Sequence, residues 1–95
     1  MEYIALIHKD ADHEASREEW DSFFKAAGAS GMFRGGSAIG HSCKLGEKEA
    51  PSMTEYIGGF MRFDTDELAK LLELLAEHPV TKHGGTIELC EMPLT

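Results

Sequence analysis

Positive charge, cysteine and proline are all scarce in this sequence. It has 9 lysine and arginine residues against 17 aspartate and glutamate residues, so its formal net charge is −8. Phosphate backbones are bound by clusters of basic residues, and the basic residues here are scattered, so we expect no nucleic-acid partner. Cys43 and Cys90 match neither a disulfide framework nor a zinc motif. We expect two thiols, each packed in a strand, without a bridge between them in one chain.

Long apolar runs are absent too. No segment approaches the roughly 20 apolar residues that are needed to cross a bilayer. The first residues, Met1 to His8, include the acidic Glu2 and lack the positive segment of a signal peptide. These absences predict a cytoplasmic protein without membrane contact, and the length of 95 residues predicts one domain, residues 1–95.

Motifs for bound cofactors are missing as well. The glycine pairs Gly35-Gly36 and Gly84-Gly85 do not belong to a G-x-G-x-x-G or Walker pattern that runs from a strand into a helix. Asp10, Asp12 and His13 have the chemistry of metal ligands but not the paired spacing of a metal site. We therefore expect neither a cofactor nor a metal ion.

What the sequence does contain is an alternation of strand and helix signals. Ser16 and Glu19 have the spacing of a capping box, and apolar residues then recur at helical spacing. Asp64 and Glu67 repeat the capping spacing before a leucine-rich helix, which His78-Pro79 should end. The first helix is predicted at Arg17–Ala27, and the strands at Tyr3–Ile7, Phe33–Cys43, Tyr56–Phe63 and Thr86–Met92.

The order β-α-β-β-α-β is typical of the ferredoxin-like α+β fold. It predicts a four-stranded antiparallel sheet with both helices on one face. We also expect right-handed crossovers to place the first and third strands side by side and parallel at the centre of the sheet.

The second face of such a sheet has no helix to cover it. Along the last two strands, one set of alternate residues is apolar throughout, while Arg62, Glu88 and Cys90 belong to a mixed set. In the first strand both sets are apolar, with Ile4 and Leu6 on the mixed side. Such a face is partly wet unless another molecule covers it, so we expect a homodimer in which two sheets pack together.

Several short motifs resemble those of YCII-related proteins. They are Thr54-Glu55-Tyr56-Ile57-Gly58-Gly59-Phe60 before Asp64, the pair His78-Pro79, the run Gly84-Gly85-Thr86-Ile87-Glu88, and Gly35-Gly36 near the start of the second strand. The resemblance spans nearly the whole chain and implies a dimeric α+β barrel, in which two ferredoxin-like sheets pack face to face. It implies no single reaction, because related barrels include monooxygenases, lactone isomerases and dehydrochlorinases. Some members have a proposed catalytic His–Asp pair with its histidine on the first helix, but Arg17–Ala27 contains no histidine, so that pair is not carried over.

The predicted topology brings polar side chains to one end of the sheet. His8 and Arg62 would lie side by side there, His8 as a catalytic proton acceptor and Arg62 as the cation that holds an anionic substrate. Two alternatives remain open: His8 as a hydrogen-bonded structural histidine, and Arg62 paired with Glu88 across the sheet face or the dimer interface. The residues expected to bind substrate beside them are Arg34, Ser37, His83 and Glu88.

Two functions fit these expectations. The first is a cofactor-independent enzyme or a binding protein for a small organic molecule, held in a cleft of the dimeric barrel. The second is a non-catalytic module whose sheet face serves oligomerisation or the regulation of a partner. They differ in whether His8, Arg34, Arg62 and His83 point into a shared cavity.

Overall fold

The computed structural model describes residues 1–94. It contains four strands and three helices, and a single 3₁₀ turn at Met53–Glu55 precedes the third strand. In chain order the elements are β1 (Glu2–His8), α1 (Arg17–Ala29), β2 (Phe33–Ala38), β3 (Ile57–Asp64), α2 (Leu68–Ala76), α3 (Pro79–Lys82) and β4 (Ile87–Met92).

The strands form one four-stranded antiparallel sheet in the order β2-β3-β1-β4, which confirms the ferredoxin-like α+β fold. The expectation that β1 and β3 run parallel is wrong, because Tyr3 pairs with Phe63 and Ala5 with Met61 in an antiparallel register. Each helical crossover brings the chain back in the same direction as the strand before the helix, and one other strand lies between the two. The parallel relation therefore joins β1 to β2, and β3 lies between them in the opposite direction.

The hydrophobic core lies between the sheet and its helices. Alternate residues of β1 and β3, including Tyr3, Ala5 and Phe63, are buried on one face. Helices α1 and α2 cover this face with side chains spaced four residues apart, which lie on one side of a helix. These buried helical residues are Phe23, Ala27, Leu71 and Leu75.

The two helix starts differ in how well their caps were predicted. The capping box before α1 is confirmed, since the Glu19 amide donates to Ser16 Oγ and the Ser16 amide donates to Glu19 Oε1, both at 3.2 Å. The second capping box is wrong, because Asp64 is the last residue of β3. Instead, the Glu67 amide donates to Thr65 Oγ1 at 3.0 Å, and α2 begins at Leu68.

Strand β2 ends at Ala38 and not at Cys43. Its pairing with β3 is irregular between Phe33 and Gly36, where Gly35 has a φ of 104° that favours glycine. Cys43 therefore lies exposed in the following loop rather than packed in a strand, whereas Cys90 is half-buried in β4. Both thiols are free, and β2 and β4 are opposite edges of the sheet.

The leucine-rich helix ends before His78-Pro79, as predicted, but this pair also begins another helical turn. Pro79 is the first residue of α3, where its missing amide hydrogen costs nothing. The Val80 amide donates to His78 Nδ1 at 3.0 Å and so caps the turn. From the sequence, these two residues were predicted only to end the leucine-rich helix.

The longest helix of residues 1–94 is α1, with 13 residues. No helix in this part of the chain has the length and apolar character that a membrane crossing requires.

Candidate functional site

His8 and Arg62 lie at opposite ends of the sheet, so the prediction that they lie side by side is wrong. His8 pairs with Ile57 at the start of β3, whereas Arg62 pairs with Ile4 near the start of β1. Four residues separate Ile4 from His8, which corresponds to about 13 Å along a strand. The error follows from the direction of β3, because antiparallel neighbours bring the end of one strand to the start of the other.

The two arginines belong to the end of the sheet away from His8. Arg62 lies 3.3 Å from Glu2 Oε1 through its Nη2 atom, so within one chain Arg62 pairs with Glu2 and not with Glu88. Arg34 donates through Nη1 to the carbonyl oxygens of Gly31 and Phe33 at 2.9 and 3.1 Å. Neither Arg34 nor Arg62 therefore lies at the end of the sheet that contains His8.

The remaining predicted residues do lie at the end of the sheet where β1 finishes. Ser37 is near the end of β2, and Glu88 is near the start of β4. His83 precedes β4, and its carbonyl oxygen accepts from the Asp12 amide at 2.8 Å. The structure thus brings together His8, Ser37, His83 and Glu88, and separates them from Arg34 and Arg62.

The His8 imidazole is placed by an irregularity in β1. The register shifts between Ile7 and His8, and a bulge of this kind re-aims a side chain at the end of a strand. The His8 Nε2 atom is buried without a hydrogen-bond partner among residues 1–94, and it lies 3.5 Å from Glu88 Oε1. The imidazole is thus not the satisfied structural histidine of the alternative interpretation.

His83 connects α1 to the start of β4 rather than facing open solvent. Its Nε2 atom lies 2.7 Å from Glu19 Oε2, and the other oxygen of the same carboxylate accepts from the Ser16 amide. These hydrogen bonds, above all the one with His83, hold the pKa of Glu19 below its ordinary value. His83 therefore belongs to the framework around the site.

The loop after β1 is held against the start of β4. Asp10 accepts from the Thr86 amide at 2.8 Å and from the Thr86 hydroxyl at 2.6 Å. The hydroxyl hydrogen bond and then the amide hydrogen bond lower the pKa of Asp10. Because this carboxylate has its partners, it fixes the loop and does not contribute a free ligand group.

An apolar cleft of about 410 Å³ lies between α1 and the β2–β3 half of the sheet. Trp20 and Phe24 from α1 stack with their ring centroids 5.9 Å apart and form one wall. Phe33, the backbone of three glycines, and Val80 complete much of the lining. His8 and Ser37 are the two predicted site residues on this lining, and Arg34, Arg62, His83 and Glu88 are not among the lining residues.

A second, more polar cleft of about 560 Å³ adjoins the first. Three residues, His8, Trp20 and Val80, line both clefts and form the boundary between them. The loop after β1 contributes most of the other lining residues, among them Lys9, Asp12, His13 and Glu14. We call the two together the trough, with an apolar part under α1 and a polar part under the loop.

His78 is a part of this region that sequence reasoning missed. Its side chain is fully buried, and its ring packs against Trp20 and Phe23 with centroids 5.1 and 4.6 Å away. Burial lowers the pKa of His78 from 6.5 to about 4, so the ring is neutral at pH 7. The sequence does show that His78 follows an apolar helix. It does not show that residues of α1 pack against the His78 ring.

No group of three or more His, Cys, Asp or Glu side chains within residues 1–94 is arranged to hold a metal ion. His13 and His83 make an edge-on contact, with their ring centroids 6.3 Å apart. His83 is already bonded to Glu19. The chemistry that the trough offers is therefore that of an imidazole beside an apolar cleft.

Comparison with known proteins gives one structural similarity. No protein-family model matches the chain, and no curated protein matches its sequence. A solved structure of 5-chloro-2-hydroxyhydroquinone dehydrochlorinase (TftG) from Burkholderia phenoliruptrix AC1100, in complex with 2,5-dihydroxybenzoquinone, is similar over 98% of this chain and 94% of that chain. The two share 14% sequence identity, with a TM-score of 0.48.

Proposed function

We propose that this protein takes up a small organic molecule in the trough beside His8, as a cofactor-independent enzyme or a binding protein. The observation that supports this most directly is the apolar cleft of about 410 Å³ lined by Trp20, Phe24 and His8. Small-molecule sites are typically concave and mostly apolar, with a few polar groups that orient the ligand. A cleft of this size accommodates a compound of one or two rings.

His8 is the residue that we propose for proton transfer. An imidazole can accept or donate a proton near neutral pH. The Nε2 atom has no hydrogen-bond partner among residues 1–94, although Glu88 Oε1 lies 3.5 Å from it. Arg62 has no part in this proposal, because it lies at the far end of the sheet.

We further propose that the protein is a homodimer through the sheet face that the helices leave open. This face carries a row of half-buried apolar side chains beside the charged Arg62 and Glu88. A second copy packed there would remove these apolar groups from water. The result would be the dimeric α+β barrel that the YCII-like motifs imply. The apolar residues of the open face are Ile4, Leu6, Phe60, Cys90 and Met92.

The test is a thermal-shift screen of small ring compounds, with 2-naphthol as the reference probe, followed by calorimetric titration of the hits. We expect His8→Ala to weaken binding at least about tenfold, which corresponds to about 1.4 kcal/mol. Arg62→Ala is the matched control and should leave the dissociation constant unchanged. Equal losses from both substitutions would contradict the site.

The alternative function, a non-catalytic oligomerisation or regulatory module, predicts a different result in the same screen. Such a protein would be a dimer in light scattering but would bind none of the ring compounds. Substitutions at His8 would then change neither the dimer mass nor the melting temperature in the presence of the compounds. That result would replace the ligand-binding proposal with the alternative.

A further inference from the structure

The charged groups around His8 are mostly negative. Asp12 and Glu14 line the polar part of the trough as exposed residues. Glu88 lies 3.5 Å from His8 Nε2, but it belongs to the open sheet face and lines neither part of the trough. Asp10 is on the same loop, although its two oxygens are occupied by Thr86. Asp12 and Glu14 are therefore the carboxylates that a ligand in the trough would meet.

Among residues 1–94, Lys9 is the one Lys or Arg that lines the trough, and it is already engaged. The Lys9 ammonium group donates to the Thr54 carbonyl oxygen at 2.7 Å. Its alkyl stem lies over the backbone of Gly58, where an added Cβ would lie 3.2 Å from Lys9 Cγ. To bind an anionic ligand, Lys9 would have to leave both contacts. Arg34 and Arg62, which the sequence predicted as groups for an anion, belong to the other end of the sheet.

The apolar part of the trough also disfavours a ligand with a carboxylate group. Its lining contains no Asp, Glu, Lys or Arg side chain among the described residues. Moving a carboxylate into such a cleft costs several kcal/mol unless a cation or hydrogen-bond donors replace its water. An ammonium group at the boundary, in contrast, would meet the indole of Trp20 and the carboxylates of the polar part.

We propose that the trough selects ring compounds that are uncharged or carry an amino group, and that it discriminates against carboxylates. The ring occupies the apolar part, and the hydroxyl or ammonium substituent lies beside His8 in the polar part. This inference rests on the proposed function, since it concerns the ligand of the same site. It reverses the expectation of an anionic ligand, whose basis was an arginine beside His8.

The test compares three probes of one ring system: 2-naphthol, 2-naphthoate and 2-naphthylmethylamine. Calorimetric titrations are run at low ionic strength and about pH 8, because salt would screen the charges. We expect the amine to bind at least about tenfold more tightly than the carboxylate, with naphthol between them. A carboxylate that binds as tightly as the amine overturns the inference and leaves the proposed function standing.

Two variants locate the cause of the selectivity. Asp12→Asn and Glu14→Gln keep the shape of each side chain and remove its charge, so they should reduce the advantage of the amine severalfold and leave naphthol unchanged. Glu73→Gln, at an exposed position of α2, is the control and should change none of the three affinities. An undiminished amine preference in the Asp12→Asn, Glu14→Gln double variant would overturn the inference. If none of the three probes binds the wild-type protein, the proposed function fails with it.

Discussion

Burial of His78 predicts that acid destabilises this protein through one identifiable side chain. The ring is fully buried between Trp20 and Phe23, and Nδ1 accepts from the Val80 amide. A charged imidazole there would lose its hydration, which is why the pKa falls from 6.5 to about 4. Protonation at Nδ1 would also break the hydrogen bond from Val80. In the unfolded chain the same residue keeps its ordinary pKa.

The sign of the effect follows from which state binds the proton. As the pH falls below 6.5 and approaches 4, the unfolded chain takes up a proton that the folded protein refuses. The free energy of unfolding therefore falls with pH in this window, and the contribution of a neutral His78 is complete above it. Each pKa unit corresponds to about 1.4 kcal/mol, so the loss by pH 4 is about 3 kcal/mol. A domain with a total stability of about 5 to 15 kcal/mol would show this clearly.

The assay is urea denaturation from pH 7 to pH 4 for the wild type and for His78→Phe. Phenylalanine keeps an aromatic ring in the core and does not titrate. Groups such as Asp10 and Glu19 titrate in both proteins, so the difference between the two curves isolates His78. The variant should lose about 1 kcal/mol at every pH because the α3 cap is gone. It should nevertheless become the more stable protein near pH 4. Parallel curves for the two proteins would refute the reasoning, because they would mean that the imidazole stays hydrated.

Three further predictions concern the packing of the strands, the open sheet face and the loop after β1. Gly36→Ala should destabilise the protein by about 1 to 3 kcal/mol, because the added Cβ would meet the carbonyl oxygen of Phe60 and lie 2.9 Å from Met61 Cα. Gly40→Ala, which has open space around it, is the control in thermal denaturation, and equal melting temperatures would contradict the close approach of β2 and β3. Leu6→Asp should convert the expected homodimer to monomer in light scattering, since a buried unpaired carboxylate costs several kcal/mol. The same change at Leu45, which is 97% exposed, should leave the mass unchanged, and a dimeric Leu6→Asp protein would assign the contact to another face. Asp10→Ala should speed hydrogen exchange of the Thr86 amide and lower the melting temperature at pH 7. Because those hydrogen bonds lower the pKa of Asp10, their stabilisation is present above the ordinary carboxyl range and is lost as the pH falls through the lowered pKa. A Thr86 amide that exchanges equally fast in the wild type and in Asp10→Ala would show that the loop is held by other contacts.

Local patterns in the sequence were sufficient for the order of the elements and for the fold. The Ser16–Glu19 box marks the start of α1 because its hydrogen bonds form within four residues, independently of the rest of the chain. The spacing of Phe23 and Ala27 marks the buried side of that helix for the same reason. The false capping box at Asp64 shows the limit of such signals. There, pairing of Asp64 with Glu2 of the neighbouring strand extends β3 and overrides the local spacing.

The candidate site depended on relations between distant segments, which the sequence pattern does not contain. Of the site residues that were predicted from the sequence, His8 and Ser37 line the apolar cleft. The prediction failed for Arg62 and Arg34 because β3 and β2 both run opposite to their predicted directions, which moves their residues to the other end of the sheet. The cleft arises where Trp20 and Phe24 stack above the glycine-containing part of the sheet, and this arrangement exists only once α1 has packed.

The sequence by itself therefore determined the element order, the helix-facing core and the excess of negative charge, since these depend on residue type and near-neighbour spacing. Only the tertiary structure decided which polar groups meet at His8 and that His78 is buried. It also decided that Arg34 and Arg62 lie at the other end of the sheet. The physical reason is that strand direction and helix packing join residues far apart in the chain, such as Trp20 with His78 and His8 with Glu88. A side chain's pKa and its ligand chemistry are then decided by those distant neighbours and not by the adjacent ones.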